Sequence, residues 1–255
     1  MSELALIFGA STIILGAVLL AIFNPFIKKR IYKRLRVIGA VESLKKASGL
    51  SVEEGKRLHI SLGSASILSS QNASTLIGLS VLQRLARVSI SSDNPPVATS
   101  GDGALSILSQ EVLKTAHQTG NALDPYSFDS ARLSGTTPFA YAVGAIPTIN
   151  DPIVSSNIVI GHLGPEVAFL SDAAERQKSG FIAASDALEG QAVIYAAAQD
   201  PLIGEELFAL PAYIQTNPFH QPSLRVQDIL RWILIAGLLI GTVVKLFQML
   251  LGSGA

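Results

Sequence analysis

Asn157–Pro165, NIVIGHLGP, reads as one complete strand-to-helix turn. Asn157–Ile160 is a short β-branched run, closed by Gly161-His162-Leu163-Gly164. Pro165 then stands where the first turn of a helix tolerates it, and Glu166 suits a helix N-terminus. The pattern recurs twice upstream. Arg57–Leu62, RLHISL, alternates apolar and polar and ends at Gly63-Ser64, and Val97–Ser100 is extended until Gly101-Asp102-Gly103 turns it into a helix over Ala104–Gln118. The spacing predicts further helices over Val41–Ala47, Ala73–Val88, Pro165 to about Gln177, and Pro201–Ile214 with Asp200 as cap. It predicts strands over Phe181–Ala184 and Ala192–Ala198. Ser51 with Glu53 and Glu54 reads as another helical turn, Val88–Ser91 as the start of a strand, and Thr119–Thr137 as loop. Phe139–Ile149 stays open between strand and helix. Strands alternating with helices imply an α/β fold: a single, mainly parallel sheet with helices on its faces. Nothing divides residues 37–227, which are expected to form one domain.

In a parallel sheet these three turns gather beyond the carboxyl edge, where such folds bind ligands. Gly63, Ser64, Gly101, Asp102, Gly103, Gly161, His162 and Gly164 are therefore the candidate ligand-binding residues, for an anion or nucleotide-like group met by helix N-termini. The same glycines are also what tight turns require, and Asp102 would repel a phosphate. His162, with Glu166 four residues on, reads as a general base or metal pair, or as a structural histidine. His59 is expected to be packed or hydrogen-bonded within its strand, and His117 and His220 to be exposed. Asp93, Asp102 and Asp151 would either gather a cation or be solvated turn residues. Position 106 is Ser, so Gly101-x-Gly103 lacks the third glycine of a dinucleotide fingerprint. There is no Gly-Lys-Ser/Thr, no HExxH, no GxSxG and no Cys. No catalytic residue, metal or cofactor is assigned.

Outside this body stand two apolar runs. Leu4–Phe23 is 20 residues without a charge, about 30 Å as a helix, which matches a bilayer core. A cleaved signal peptide carries its positive charge before the apolar run. Here Glu3 precedes, and the basic stem Ile27–Arg36 follows, so a retained anchor is expected. Lys28, Lys29, Arg30, Lys33, Arg34 and Arg36 would lie at the membrane interface, either setting topology or resting on anionic headgroups. Ile229–Leu251 is the second expected span; Lys245 lies 14 residues past Arg231, near enough to the far headgroups to snorkel. Arg225 and Arg231 fall on the same side as the stem, which puts the body in the cytoplasm and both termini outside. Gly237 and Gly241 form a GxxxG suited to close helix–helix packing in lipid.

Residues 37–227 hold 17 acids against 11 bases, a net of −6, which argues against nucleic acid as a partner. These 28 charges are sparse for a soluble domain, so the body is expected to hide surface against neighbours. The expected partners are the lipid bilayer, copies of the same chain and possible other membrane subunits. A structural or assembly role follows; a tethered ligand-binding or enzymatic domain using the Gly-rich turns is the alternative. The order of apolar N-terminus, basic stem, LHISLG, DNPPVATSGDG, GHLGPE and apolar C-terminus resembles an uncharacterised family of bacterial membrane proteins, named only as a domain of unknown function. That resemblance implies membrane attachment and assigns no activity.

Overall fold

The computed structural model describes residues 3–27, 36–70, 72–120, 126–214 and 220–252. In chain order these form α1 (Glu3–Ile27), α2 (Gly39–Glu53), β1 (Arg57–Ser61), α3 (Asn72–Ser89), β2 (Val97–Ser100) and α4 (Gly103–Thr119). A single 3-10 turn, Phe128–Ser130, precedes β3 (Ala131–Leu133). Then come α5 (Pro138–Ile149), β4 (Val154–Gly161), α6 (Val167–Arg176), β5 (Gly180–Ser185), α7 (Leu188–Ala197), α8 (Glu206–Ile214) and α9 (His220–Gly252). Two compact units result: one of residues 36–214, the other containing α1 and α9.

The first unit is the expected α/β fold. Its five strands are all parallel, in the order β3-β2-β1-β4-β5. The chain steps outward from β1 to β3, then returns to the other side of β1 for β4 and β5. The strand order therefore reverses between β1 and β4, and the crevice beyond their carboxyl ends is the usual ligand position. Both faces are covered, as parallel sheets require. On one face Leu58, Ile60, Ile158, Ile160 and Ile182 pack with α2, α3, α4 and α8; on the other Val159, Phe181 and Ala183 pack with α5, α6 and α7.

Several elements depart from the sequence expectation. Ala192–Ala198 lies almost wholly in α7, not a strand. Its alanines favour helix, and it buries only Ile194 and Gly190 while Tyr195 faces out. Phe139–Ile149 resolves as helix because Thr137 caps it, accepting from the Ala140 N–H, and Pro138 takes its first turn. The loop over 119–137 contains the edge strand β3, three residues long and so too short for a period. Val88–Ser91 begins no strand, since α3 runs on to Ser89. The last helix of the unit starts at Glu206 rather than Pro201, because Leu202 bridges to Ala184 beside β5, and Asp200 accepts from Ser43 Oγ instead of capping a helix. In α4 the buried stripe is Leu105, Ser109, Leu113 and Ala116, with Ser106 buried too, while Leu108 is exposed. Val88 is likewise exposed.

In the second unit α1 and α9 pack together, and a Cβ on Gly16 would lie 3.9 Å from Leu230. One helix among the described residues is long and apolar enough to cross a membrane: Val226–Met249, with mean hydropathy 2.0. Helix α1 is continuous past the expected exit at residue 23, but its described apolar run, Gly9–Ala21, is shorter than a span. Gly237 and Gly241 have open space where a Cβ would stand. Lys28, Lys29, Arg30, Lys33 and Arg34 lie outside the described residues. Arg36, expected at the membrane interface, opens the α/β unit and pairs at 3.6 Å with Glu206.

Candidate functional site

The three Gly-rich turns do meet beyond the carboxyl edge. The sheet ladder continues through them: Leu62 N–H donates to Thr99 O, Gly101 N–H to Gly63 O, and Ser134 N–H to Ser100 O, at 2.8–2.9 Å. Gly63 has φ +78°, and a Cβ there would stand 2.9 Å from the His162 carbonyl oxygen. A Cβ on Gly161 would lie 2.3 Å from the Leu62 carbonyl oxygen, and one on Gly101 2.7 Å from the Cα of Ser64. These glycines are accounted for by backbone meeting backbone. Gly63, Ser64, Gly101, Gly161 and His162 therefore form one seam over β2, β1 and β4.

The helix starts beside the seam already carry carboxylates. Asp102 caps α4, its Oδ1 accepting from the Leu105 N–H at 2.9 Å, with Gly103 as the first helical residue. The buried Glu166 stands at the start of α6, and its Oε1 accepts from the Gly164 N–H at 2.9 Å. The start of α4 is thus capped from within the chain, while Glu166 makes no capping bond to α6.

His162 does not pair with Glu166. Its Nδ1 lies 2.8 Å from Asp186 Oδ1, just past β5, and donates to that carboxylate. This fixes the tautomer and leaves Nε2 as the basic nitrogen, with no partner among the described residues. The ring is part-exposed, and Ser185 stitches the turns below it by accepting from Leu163 N–H and donating to Leu163 O. A histidine oriented by a carboxylate at the strand-order reversal is the geometry of a general base. The described residues contain no group of three His, Cys, Asp or Glu able to hold a metal. Asp93 and Asp151 sit at the other end of the strands, before β2 and β4.

Sequence reading missed the polar relay beneath the seam. The register sets His59 beside Asn157 and Ser61 beside Thr99 on one face of the sheet. Asn157 Nδ2 donates to Ser179 Oγ at 2.8 Å, so its Oδ1 accepts from His59 Nδ1 at 2.8 Å. His59 Nε2 must then accept from Thr99 Oγ1 at 2.7 Å, Thr99 from Ser61 at 2.8 Å, and Ser61 from the Tyr141 hydroxyl. Tyr141 in turn accepts from the Gly63 N–H at 3.2 Å. Every proton has one place, from the seam down to Ser179, which donates to Ala174 O. Burial lowers the His59 pKa to about 4, against the partly offsetting Asn157 bond and with help from the Arg132 charge. Burial also pushes the Tyr141 hydroxyl up to about 12, so it stays a neutral donor. The available signal was His59, Ser61, Thr99 and Asn157 among the polar side chains of three buried strands; Tyr141 gave none, because its element was undecided.

A family model for a domain of unknown function, DUF6754, matches residues 3–254, nearly the whole sequence. No curated protein and no solved structure matches the chain. The protein belongs to the DUF6754 family.

Proposed function

We propose that this member of the DUF6754 family is a two-span membrane protein, its α/β unit cytoplasmic and both termini outside, that works as a structural or assembly component by associating with copies of itself. The observation that carries this reading is an apolar patch on the outer side of α5 and α6. Phe139, Val143 and Phe169 are 56%, 59% and 46% exposed, and the two rings meet edge to face with centroids 6.1 Å apart. Aromatic side chains clustered on an exposed apolar surface are what protein interfaces use. The exposed apolar length of α9, the open Gly237 and Gly241 face and the basic residues after the first apolar run support attachment to the bilayer.

The full chain extracted in mild detergent should have a protein mass, by light scattering, of two or more copies. Phe139→Glu with Phe169→Glu should lower it by at least one copy, with helical content unchanged. A wild-type particle of one copy would contradict self-association. The His162–Asp186 pair favours a second reading, a tethered ligand-binding or enzymatic domain. Stabilisation of the same preparation by a nucleotide, sugar phosphate or divalent ion, abolished by His162→Gln, would favour that reading.

A further inference from the structure

The amino edge of the sheet holds a separate concentration of polar groups. Arg57 opens β1, Arg132 is the middle residue of β3, and His117 lies in the last turn of α4. With Ser127, Asp129 and Ser130 they wall a pocket of about 240 Å³. That is below the ~300–1,000 Å³ of drug-sized ligand sites, so its occupant is small.

Two guanidinium groups face one carboxylate, which leaves the walls net positive. Arg132 Nε donates to the Asp129 carbonyl at 2.8 Å, which anchors the stem of the guanidinium. No carboxylate among the described residues forms an ion pair with Arg132. Arg57 has Asp151 only at 4.0 Å, the outer limit of an ion pair. The described residues contain three buried side-chain polar atoms without a hydrogen-bond partner, and two of them, Arg57 Nε and His117 Nε2, belong to this wall. Both atoms are shut off from solvent, so a ligand in the pocket would meet Arg57 through the outer nitrogens of its guanidinium. Guanidinium forks match the oxygens of phosphate in pairs, while Asp129 and the two serine hydroxyls suit hydroxyl groups beside it.

We propose that this pocket binds a small phosphate monoester bearing hydroxyl groups, through the guanidinium groups of Arg57 and Arg132. The site is independent of the seam at the carboxyl edge and of self-association. The phosphate would come from a soluble metabolite or from a lipid headgroup, and the test separates the two.

The full chain in neutral phosphatidylcholine nanodiscs is titrated with glycerol 3-phosphate at constant ionic strength, and thermal unfolding is followed by circular dichroism. A saturable rise in unfolding temperature is expected, with glycerol alone inert. Arg132→Gln should shift the midpoint of that titration at least tenfold to weaker binding. Arg132 is exposed, so the variant's unfolding temperature without ligand reports whether it has folded; Arg57→Gln is the second variant. A rise seen only when the discs are doped with phosphatidate, and lost in the same variants, identifies a headgroup as the source. Absence of stabilisation from either source, or an equal response in wild type and both variants, overturns the proposal.

Discussion

Alanine at Gly161 is expected to destabilise the α/β unit more than any other single methyl added at the seam. The added carbon would lie 2.3 Å from the Leu62 carbonyl oxygen and 2.8 Å from its carbon, both main-chain atoms that no rotamer change can move aside. Relief requires β1 and β4, the central pair, to part where the ladder turns into the seam. Overpacking usually costs about 1–3 kcal/mol, and a backbone clash in the middle of a sheet belongs at or above the top of that range. A domain's whole stability is of the order of 5–15 kcal/mol. Gly161→Ala should therefore lower the unfolding temperature by roughly 6–12 °C or prevent accumulation of folded protein. Gly103, at the start of α4, has nothing within 4 Å of where a Cβ would stand, so Gly103→Ala is the matched control and should be neutral or stabilising. Equal melting of the two variants would show that the seam is not packed as described.

Mild acid should weaken the fold through His59. Burial holds its folded pKa near 4, against 6.5 for the free side chain, so between those values the unfolded chain takes up a proton that the folded chain refuses. The contribution is fully present above about pH 6.5 and is lost as pH falls towards 4. The gap corresponds to on the order of 3 kcal/mol. Protonation would also force a second N–H against Thr99, whose hydroxyl already donates to Nε2, and so reverse the relay up to Tyr141. Unfolding free energies at pH 7.5, 5.5 and 4.5 check this. Wild type should lose stability steeply across the window, and His59→Gln, less stable at pH 7.5, should lose distinctly less. Parallel slopes for the two proteins would remove His59 as the cause.

The sheet was legible because its inner strands are short alternating or β-branched runs stopped by glycine. Leu62-Gly63, Ser100-Gly101 and Ile160-Gly161 each mark a strand end to within a residue or two. What was illegible lacked length or periodicity. β3 is three residues, and α7 hides in an alanine-rich run whose β-branched centre, Val193-Ile194, imitates a strand. The glycines were visible both as candidate ligand-binding residues and as turn residues; the close approach of main chain to main chain across three strands depends on register and was not. His162 was a visible candidate; its partner Asp186 lies 24 residues away and was not. The relay was half visible: polar residues in strands announce that something must satisfy them, while only the register says that they satisfy one another. Arg57, His117 and Arg132 are scattered in sequence and meet only because β1, α4 and β3 share the amino edge.

The proposed attachment of both ends to a bilayer is tested most directly by topology. The chain has no cysteine, so a single Leu188→Cys at an exposed position of the α/β unit can be labelled without background. Cells expressing this variant, with an epitope tag at each terminus, are treated with an impermeant thiol reagent and with antibodies before and after permeabilisation. Both tags should be reached in intact cells, and Cys at 188 should be labelled only after permeabilisation. Labelling at 188 in intact cells, with both tags protected, would contradict the proposed topology.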